Sequence, residues 1–430
     1  MKGSGKVPET VSQHSYSSRR LLVLVAMMLG ISSGCESTER ILNTAEQAVT
    51  SKTAREVLDI AQSKDIEAAL RRRAEGYARD PEALLRDLHA VKRDFDTVMA
   101  TLTGHVNRTW GQKEVKLPDR TKYVKYTQNY RSRAIVDFDA GEIMVETVDD
   151  KDPQGSLKNA IVTTLLTPDD PRSVDLFSDK AVTLTSDREP YLLGLVHDQD
   201  GKSVRTPEQA ERFAAYLLEK RSGTRTVQVG ESQKSARYVK IAMVSNFEYK
   251  KAEKYRAVVD RFAEQYKISP SLVFAIIRTE SNFNPFAVSS VPAYGLMQLV
   301  PASGGREAYR HAKGADKIPS RDYLFDPENN IELGTAYLNV LIFNQLEQVA
   351  NAVSREYCVI AAYNTGPGNV LRTFSKNHDT AVNEINRLQP GALYDKLRTS
   401  LPYEETRHYL VKVTTYRKEF ISGAAEPAGR

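Results

Sequence analysis

Near Asn246 the spacing of apolar residues switches from the alternation of strands to the period of helices, and one kind of layer cannot accommodate both. Before the switch, Ala134, Val136 and Phe138 alternate with Ile135 and Asp137, Asp139-Ala140-Gly141 makes a turn, and 143–148 returns, the pattern of a hairpin. Asp137, Asp139 and Glu142 cluster at that turn, where acidic side chains serve turn geometry. Residues 192–196 and those after His197-Asp198-Gln199-Asp200-Gly201 read as a second hairpin, and 238–244 as a final strand. Helices intervene at 156–166 and after Thr206, where Thr206 caps, Pro207 suits the first turn and Gln209 closes a capping box. From Tyr249 onward, helical patterns follow one another between Gly, Pro and Asn loops. The expectation is an α+β domain over 94–246 followed by an all-α, mainly helical domain over 247–430.

A chain of 430 residues has room for two or three domains, and 41% hydrophobic with 27% charged residues describes a chain that folds in water. A formal charge of +5 spread over that length demands no acidic polymer, and no nucleic-acid partner is expected. The two cysteines, Cys35 and Cys358, cannot build a disulfide framework or a four-ligand zinc site, and the seven histidines include no pair at i, i+4. No metal and no cofactor are expected. Cys358, in an apolar helix with Val359, Ile360 and Ala361, reads as a packed small hydrophobe.

Arg19-Arg20 precede an apolar run at 21–31 that is too short to cross a hydrocarbon core of ~30 Å comfortably and suits an export signal over 1–34. Residues 35–93 are rich in Ala, Glu, Arg and Leu, with Val57, Ile60 and Ala61 at helical spacing, and read as a helical linker or stalk. Arg71-Arg72-Arg73 within it reads as a solvated helix face.

The chemistry centres on Glu280. Ser269-Pro270 gives a cap and a first-turn proline, and Leu272, Val273, Ile276 and Ile277 form an apolar stripe on which Glu280 also falls, just before Asn284-Pro285 breaks the helix. A carboxyl against apolar walls is either paired with a cation, Arg278 being the near one, or kept protonated as a general acid requires. The residues themselves leave both open.

Around it stand Glu280-Ser281-Asn282-Phe283-Asn284-Pro285, then Ala287-Val288-Ser289, Gly295-Leu296-Met297-Gln298, and Ala362-Tyr363-Asn364-Thr365-Gly366-Pro367-Gly368. Leu324-Phe325-Asp326-Pro327, Asn330-Ile331 and Glu405-Thr406-Arg407 with Tyr409 complete an ordered set. Over roughly 255–416 this set resembles the catalytic domain of the soluble-lytic-transglycosylase family, a lysozyme-like fold. The middle region, with Tyr123-Val124-Lys125-Tyr126-Thr127 and Val174-Asp175-Leu176, resembles the N-terminal domain of the membrane-bound lytic murein transglycosylase C family. Ile31-Ser32-Ser33-Gly34-Cys35 resembles the lipobox of bacterial lipoproteins, whose cysteine is acylated.

The resemblance implies that Glu280 is a single acid/base acting on peptidoglycan glycan strands, cleaving the bond between N-acetylmuramic acid and N-acetylglucosamine and leaving a 1,6-anhydro end. It implies that Ser289, Gln298, Tyr363 and Asn364 line the saccharide cleft, and that Tyr363 would bond Glu280 and fix its orientation. Glu405 belongs either to the cleft or to a surface ion pair with Arg407. Acylated Cys35 would anchor the chain to the outer membrane at its periplasmic face. One sequence feature agrees: between Ile268 and Ala315 the only carboxylates are Glu280 and Glu307, whereas ordinary glycosidases use two, ~5 to 9.5 Å apart. A lysozyme-type hydrolase and a non-catalytic peptidoglycan-binding lipoprotein remain the alternatives. Oligomeric state is not legible.

Overall fold

The computed structural model describes residues 81–185, 187–291 and 293–422. The export segment, Cys35 and the stalk up to residue 80 lie outside the described residues. Among the described residues, 97–319 with 323–422 form one compact unit.

Helix α1 (Pro81–Trp110) starts at Pro81, where a missing N–H leaves nothing unsatisfied. Its last turns carry Leu102, Val106 and Trp110 at i, i+4 and i+8, all fully buried in one cluster with Val124, Tyr126 and Ala236 of a sheet. That sheet has five antiparallel strands, β1 (Lys122–Thr127), β2 (Ser132–Asp137), β3 (Glu142–Thr147), β4 (Gly223–Val229) and β5 (Ser232–Ala242), in the order β1-β2-β3-β5-β4. The expected hairpin is β2–β3, with Val136 opposite Ile143, and Val145 of β3 faces Val239 of β5. Helices α2 (Pro153–Leu166) and α3 (Pro207–Lys220) fill the long connection from β3 to β4, and α2 packs on β2 and β3. The Thr206–Gln209 capping box forms as read. Inside this region Arg133 and Glu146, both fully buried, meet at 2.7 Å, with the guanidinium 3.9 Å over the Trp110 ring.

The second hairpin does not form. Leu193 and Val196, and His197 and Ser203, make only isolated bridges, because Gly194 at φ 77 turns the chain and Leu195 N–H and Val196 N–H both bond back to the Leu192 carbonyl. Two strands escaped the alternation rule for opposite reasons: β1 is buried at four successive positions, and β4 is mostly polar and lies at the sheet edge.

After α4 (Phe247–Glu253) the chain is helical: α5 (Arg256–Tyr266), α6 (Pro270–Ser281), α7 (Arg306–Lys313), α8 (Arg321–Phe325), α9 (Pro327–Val340) and α10 (Ala352–Thr365). Helices α11 (Pro367–Arg372), α12 (His378–Arg387), α13 (Pro390–Ser400) and α14 (Glu404–Ser422) complete it. Helix α6 packs on α5 and α14, and α10 packs on α11, α13 and α14. Cys358 is fully buried in α10, where burial pushes its thiol up to about 12, so it packs as a hydrophobe. Among the described residues no helix is long and apolar enough to cross a membrane.

Candidate active site

Helix α6 begins at Pro270, but Ser269 does not cap it with its side chain: the Ser269 hydroxyl pairs with the Ser271 hydroxyl at 2.8 Å instead. The helix is buried almost all round, at every residue from Leu272 to Ile277 and again at Glu280 and Ser281. Glu280 is therefore a carboxyl in the last turn of a core helix, 6% exposed. Burial pushes it up to about 7, against a favourable interaction with Tyr409 and the charge of Arg120, while the charge of Glu405 adds to the rise. The buried Tyr409 hydroxyl is set against Glu280 but outside strict hydrogen-bond geometry.

The cation beside Glu280 is not Arg278. That side chain lies 3.8 Å from Glu248, pairs with Glu419 and stacks 4.1 Å over Tyr416, because its place on the helix turns it away from the cleft. The cation is Arg120, on the loop entering β1, whose Nη1 lies 3.8 Å from Glu280 Oε2 and 3.4 Å from Glu405 Oε1. An isolated arginine 160 positions before Glu280 carries no motif, so nothing in the sequence pointed to it. The pairing of Glu405 with Arg407 does not form either, since Arg407 donates to the Leu401 carbonyl at 2.6 Å.

Glu280 is followed by two residues in the left-handed region, Asn282 at φ 45 and Phe283 at φ 64, a conformation that costs free energy unless surrounding contacts impose it. Here they do. Asn282 Nδ2 donates to the Phe138 carbonyl and to Asp139 Oδ1, both at 2.9 Å, so the acidic β2–β3 turn holds the end of the helix. Phe283 stacks with Tyr255, packs at a tilt on Phe274 and meets Phe420 edge-on. Asn284 Nδ2 donates to the Arg120 carbonyl at 3.2 Å, and Phe286, fully buried, packs on Tyr123 and Tyr191 of the sheet region.

The other expected residues divide. Gln298, at φ 48 and buried, anchors Nε2 on the carbonyls of Ala287 and Gly295, at 3.1 and 3.0 Å, while its buried Oε1 accepts no hydrogen bond. Its loop is held by Asn330, whose Oδ1 accepts from Met297 N–H at 2.7 Å and whose Nδ2 donates to Tyr294 and Leu324 carbonyls at 2.8 Å. Gly295, at φ 74, belongs to this turn, and a Cβ there would come within 2.5 Å of Asn330 Nδ2. Tyr363 lies near Glu280, as the coupling of their charges indicates, but does not bond it: its hydroxyl donates to the Met297 carbonyl at 2.9 Å. Asn364 accepts from Thr406 Oγ1 at 2.7 Å, and with Glu405 and Tyr403 it lines an open groove of about 590 Å³. Ser289 is half-buried and spends its hydroxyl within its own loop, on the Val291 carbonyl and from Ala293 N–H. The arrangement thus joins one protonatable buried carboxyl, a charge-balanced second carboxylate and a buried amide oxygen in need of a donor, a set suited to acid/base work on a polar polymer.

The family model of the membrane-bound lytic murein transglycosylase C N-terminal domain matches residues 77–254, and that of the transglycosylase SLT domain matches 258–386. A membrane-bound lytic murein transglycosylase C of Yersinia enterocolitica is 43% identical over 79% of this chain and 92% of its own length. One of Klebsiella pneumoniae subsp. pneumoniae is 43% identical over 79% of this chain and 91% of its own. Among solved structures, lytic transglycosylase Slt of Pseudomonas aeruginosa matches 40% of this chain and 25% of its own at 29% identity, with a TM-score of 0.31. With two family models in tandem around the switch near Asn246, and relatives matched over nearly their whole length, the chain belongs to the membrane-bound lytic murein transglycosylase C family.

Proposed function

We propose that Glu280 is the single acid/base of a reaction on peptidoglycan glycan strands. As a neutral acid it protonates the glycosidic oxygen between N-acetylmuramic acid and N-acetylglucosamine. As a carboxylate it then takes the proton of the muramic C6 hydroxyl, whose oxygen closes on C1. One C–O bond breaks and one forms within the substrate, no water enters, and the product ends in a 1,6-anhydro ring. The chain is a peptidoglycan lytic transglycosylase, as its family membership establishes. The observation that carries the finer reading is the buried Glu280 carboxyl held near 7, which supplies both protonation states at neutral pH.

Gln298 Oε1 is a ready acceptor for a sugar O–H or an N-acetyl N–H, Asn364 and Glu405 edge the groove, and Tyr363 acts through Met297 on the Gln298 loop. We read 94–246 as an α+β domain and 247–430 as the all-α, lysozyme-like catalytic domain, after a signal at 1–34 and a linker at 35–93. Acylation at Cys35 would place the chain on the periplasmic face of the outer membrane, in keeping with relatives named membrane-bound.

Mass spectrometry of fragments released from purified sacculi tests the chemistry: anhydro ends, lighter by one water, are expected, and hydrated reducing ends would overturn the single-carboxylate reading. One observation favours a hydrolase as second reading: Glu405 and Glu280 flank the same Arg120 nitrogen, at 3.4 and 3.8 Å, which brings a second carboxylate beside the acid. Glu405→Gln separates the two. A transglycosylase should lose about tenfold in kcat/KM through weakened groove contacts and keep its anhydro products, whereas loss of a second catalytic carboxylate would cost on the order of 10²- to 10⁴-fold.

A further inference from the structure

Taking Glu280 as the acid, we propose that Arg120, supplied by the sheet region, is its positioning residue: the guanidinium clamped between Glu280 and Glu405 balances both carboxylates, so the acid is complete only with the sheet region docked. The loop that carries it is built for placement. Asp119 Oδ1 accepts from the N–H groups of Thr121 and Lys122, both at 2.8 Å, and the Asp119 carbonyl accepts from Val288 N–H at 3.4 Å. Asn284 holds the Arg120 carbonyl, so the backbone is tied to the segment that follows Glu280 while the side chain is left to reach the cleft. That side chain is 41% exposed, against 7% for Glu280 and 67% for Glu405. It is a cation at the mouth, facing a buried acid on one side and a solvated carboxylate on the other.

Among the described residues, the remaining groups facing Glu280 are Tyr409 and Glu405 from α14 and Tyr363 from α10, none of them a cation. Arg278, on the same helix as Glu280, is committed to Glu248 and Glu419. With Arg120 neutral, Glu280 would face the uncompensated charge of Glu405, and both effects favour the protonated acid. At 3.8 Å in a half-solvated cleft, one charge moves a carboxyl by about one pH unit.

The test measures release of fragments from purified sacculi across pH by the whole chain carrying Arg120→Gln or Arg120→Lys, with Glu280→Gln alongside. In Arg120→Gln the alkaline limb of the rate profile should move up by about one pH unit while unfolding temperature stays near that of the parent, and Arg120→Lys should bring the limb back toward its original place. An even loss of rate at all pH values, a rise in KM with the limb fixed, or a limb that lysine does not restore would overturn the proposal. A Glu280→Gln variant that keeps its activity would instead overturn the assignment of the acid.

Discussion

Glu280→Gln should lower peptidoglycan cleavage by about 10²- to 10⁴-fold and at the same time make the protein more stable in mild alkali. The two effects share one cause. Burial lifts the carboxyl from 4.5 to about 7, so between those values the folded protein holds a proton that the unfolded chain has lost. The stability that this proton represents is fully present below about 4.5 and disappears as the pH rises through about 7, on the order of 3 kcal/mol in all. A glutamine keeps the shape without titrating. Its unfolding temperature should therefore match the parent at about pH 4 and exceed it by several degrees at about pH 8, read by calorimetry at both. Parallel stability curves would mean that Glu280 is already paired and ionised in the folded state. The same titration makes the parental rate fall above about pH 7, where the acid is lost.

Phe286→Ala carries the largest expected stability cost, about 3 to 5 kcal/mol, because the ring is fully buried and its partners come from another part of the chain. Its centroid is 4.8 Å from that of Tyr123 in β1 and 5.0 Å from that of Tyr191 in the long connection. Removing it leaves a cavity where the sheet region meets the segment behind Glu280, so the rate should fall as well, through loosened placement of Arg120 and Asn282. Urea unfolding measures the first effect and fragment release the second. A loss below about 1 kcal/mol would show that the two regions do not share this core.

Much of the site was legible because the relevant chemistry is local. A carboxylate on the apolar stripe of a helix that ends in Asn-Pro is a conflict visible in the letters alone, and the structure resolves it by burial and a raised carboxyl. The capping box at Thr206, the β2–β3 hairpin and the packed Cys358 were legible for the same reason: each depends on residues within a few positions of one another. The failures have the opposite character. The region 192–203 had the composition of strands, but no neighbouring strand offers it a ladder, and Gly194 lets it turn instead. Tyr363 had the chemistry to orient Glu280, yet its hydroxyl donates its hydrogen bond to the Met297 carbonyl, and Tyr409 occupies the position facing the acid.

What the sequence by itself determined is the order of layers, the identity of the buried acid and the motif loops around it, since propensity, periodicity and turn chemistry act over short stretches of chain. Tertiary structure alone decided which groups surround that acid. Arg120, Asp139 and Tyr123 are more than 130 residues from the segment they hold, and no periodicity or spacing records a contact of that range. Their effect is electrostatic and steric, and it exists only when the sheet region folds against the end of α6, where one guanidinium, one turn and one ring determine the charge, the backbone and the packing around Glu280.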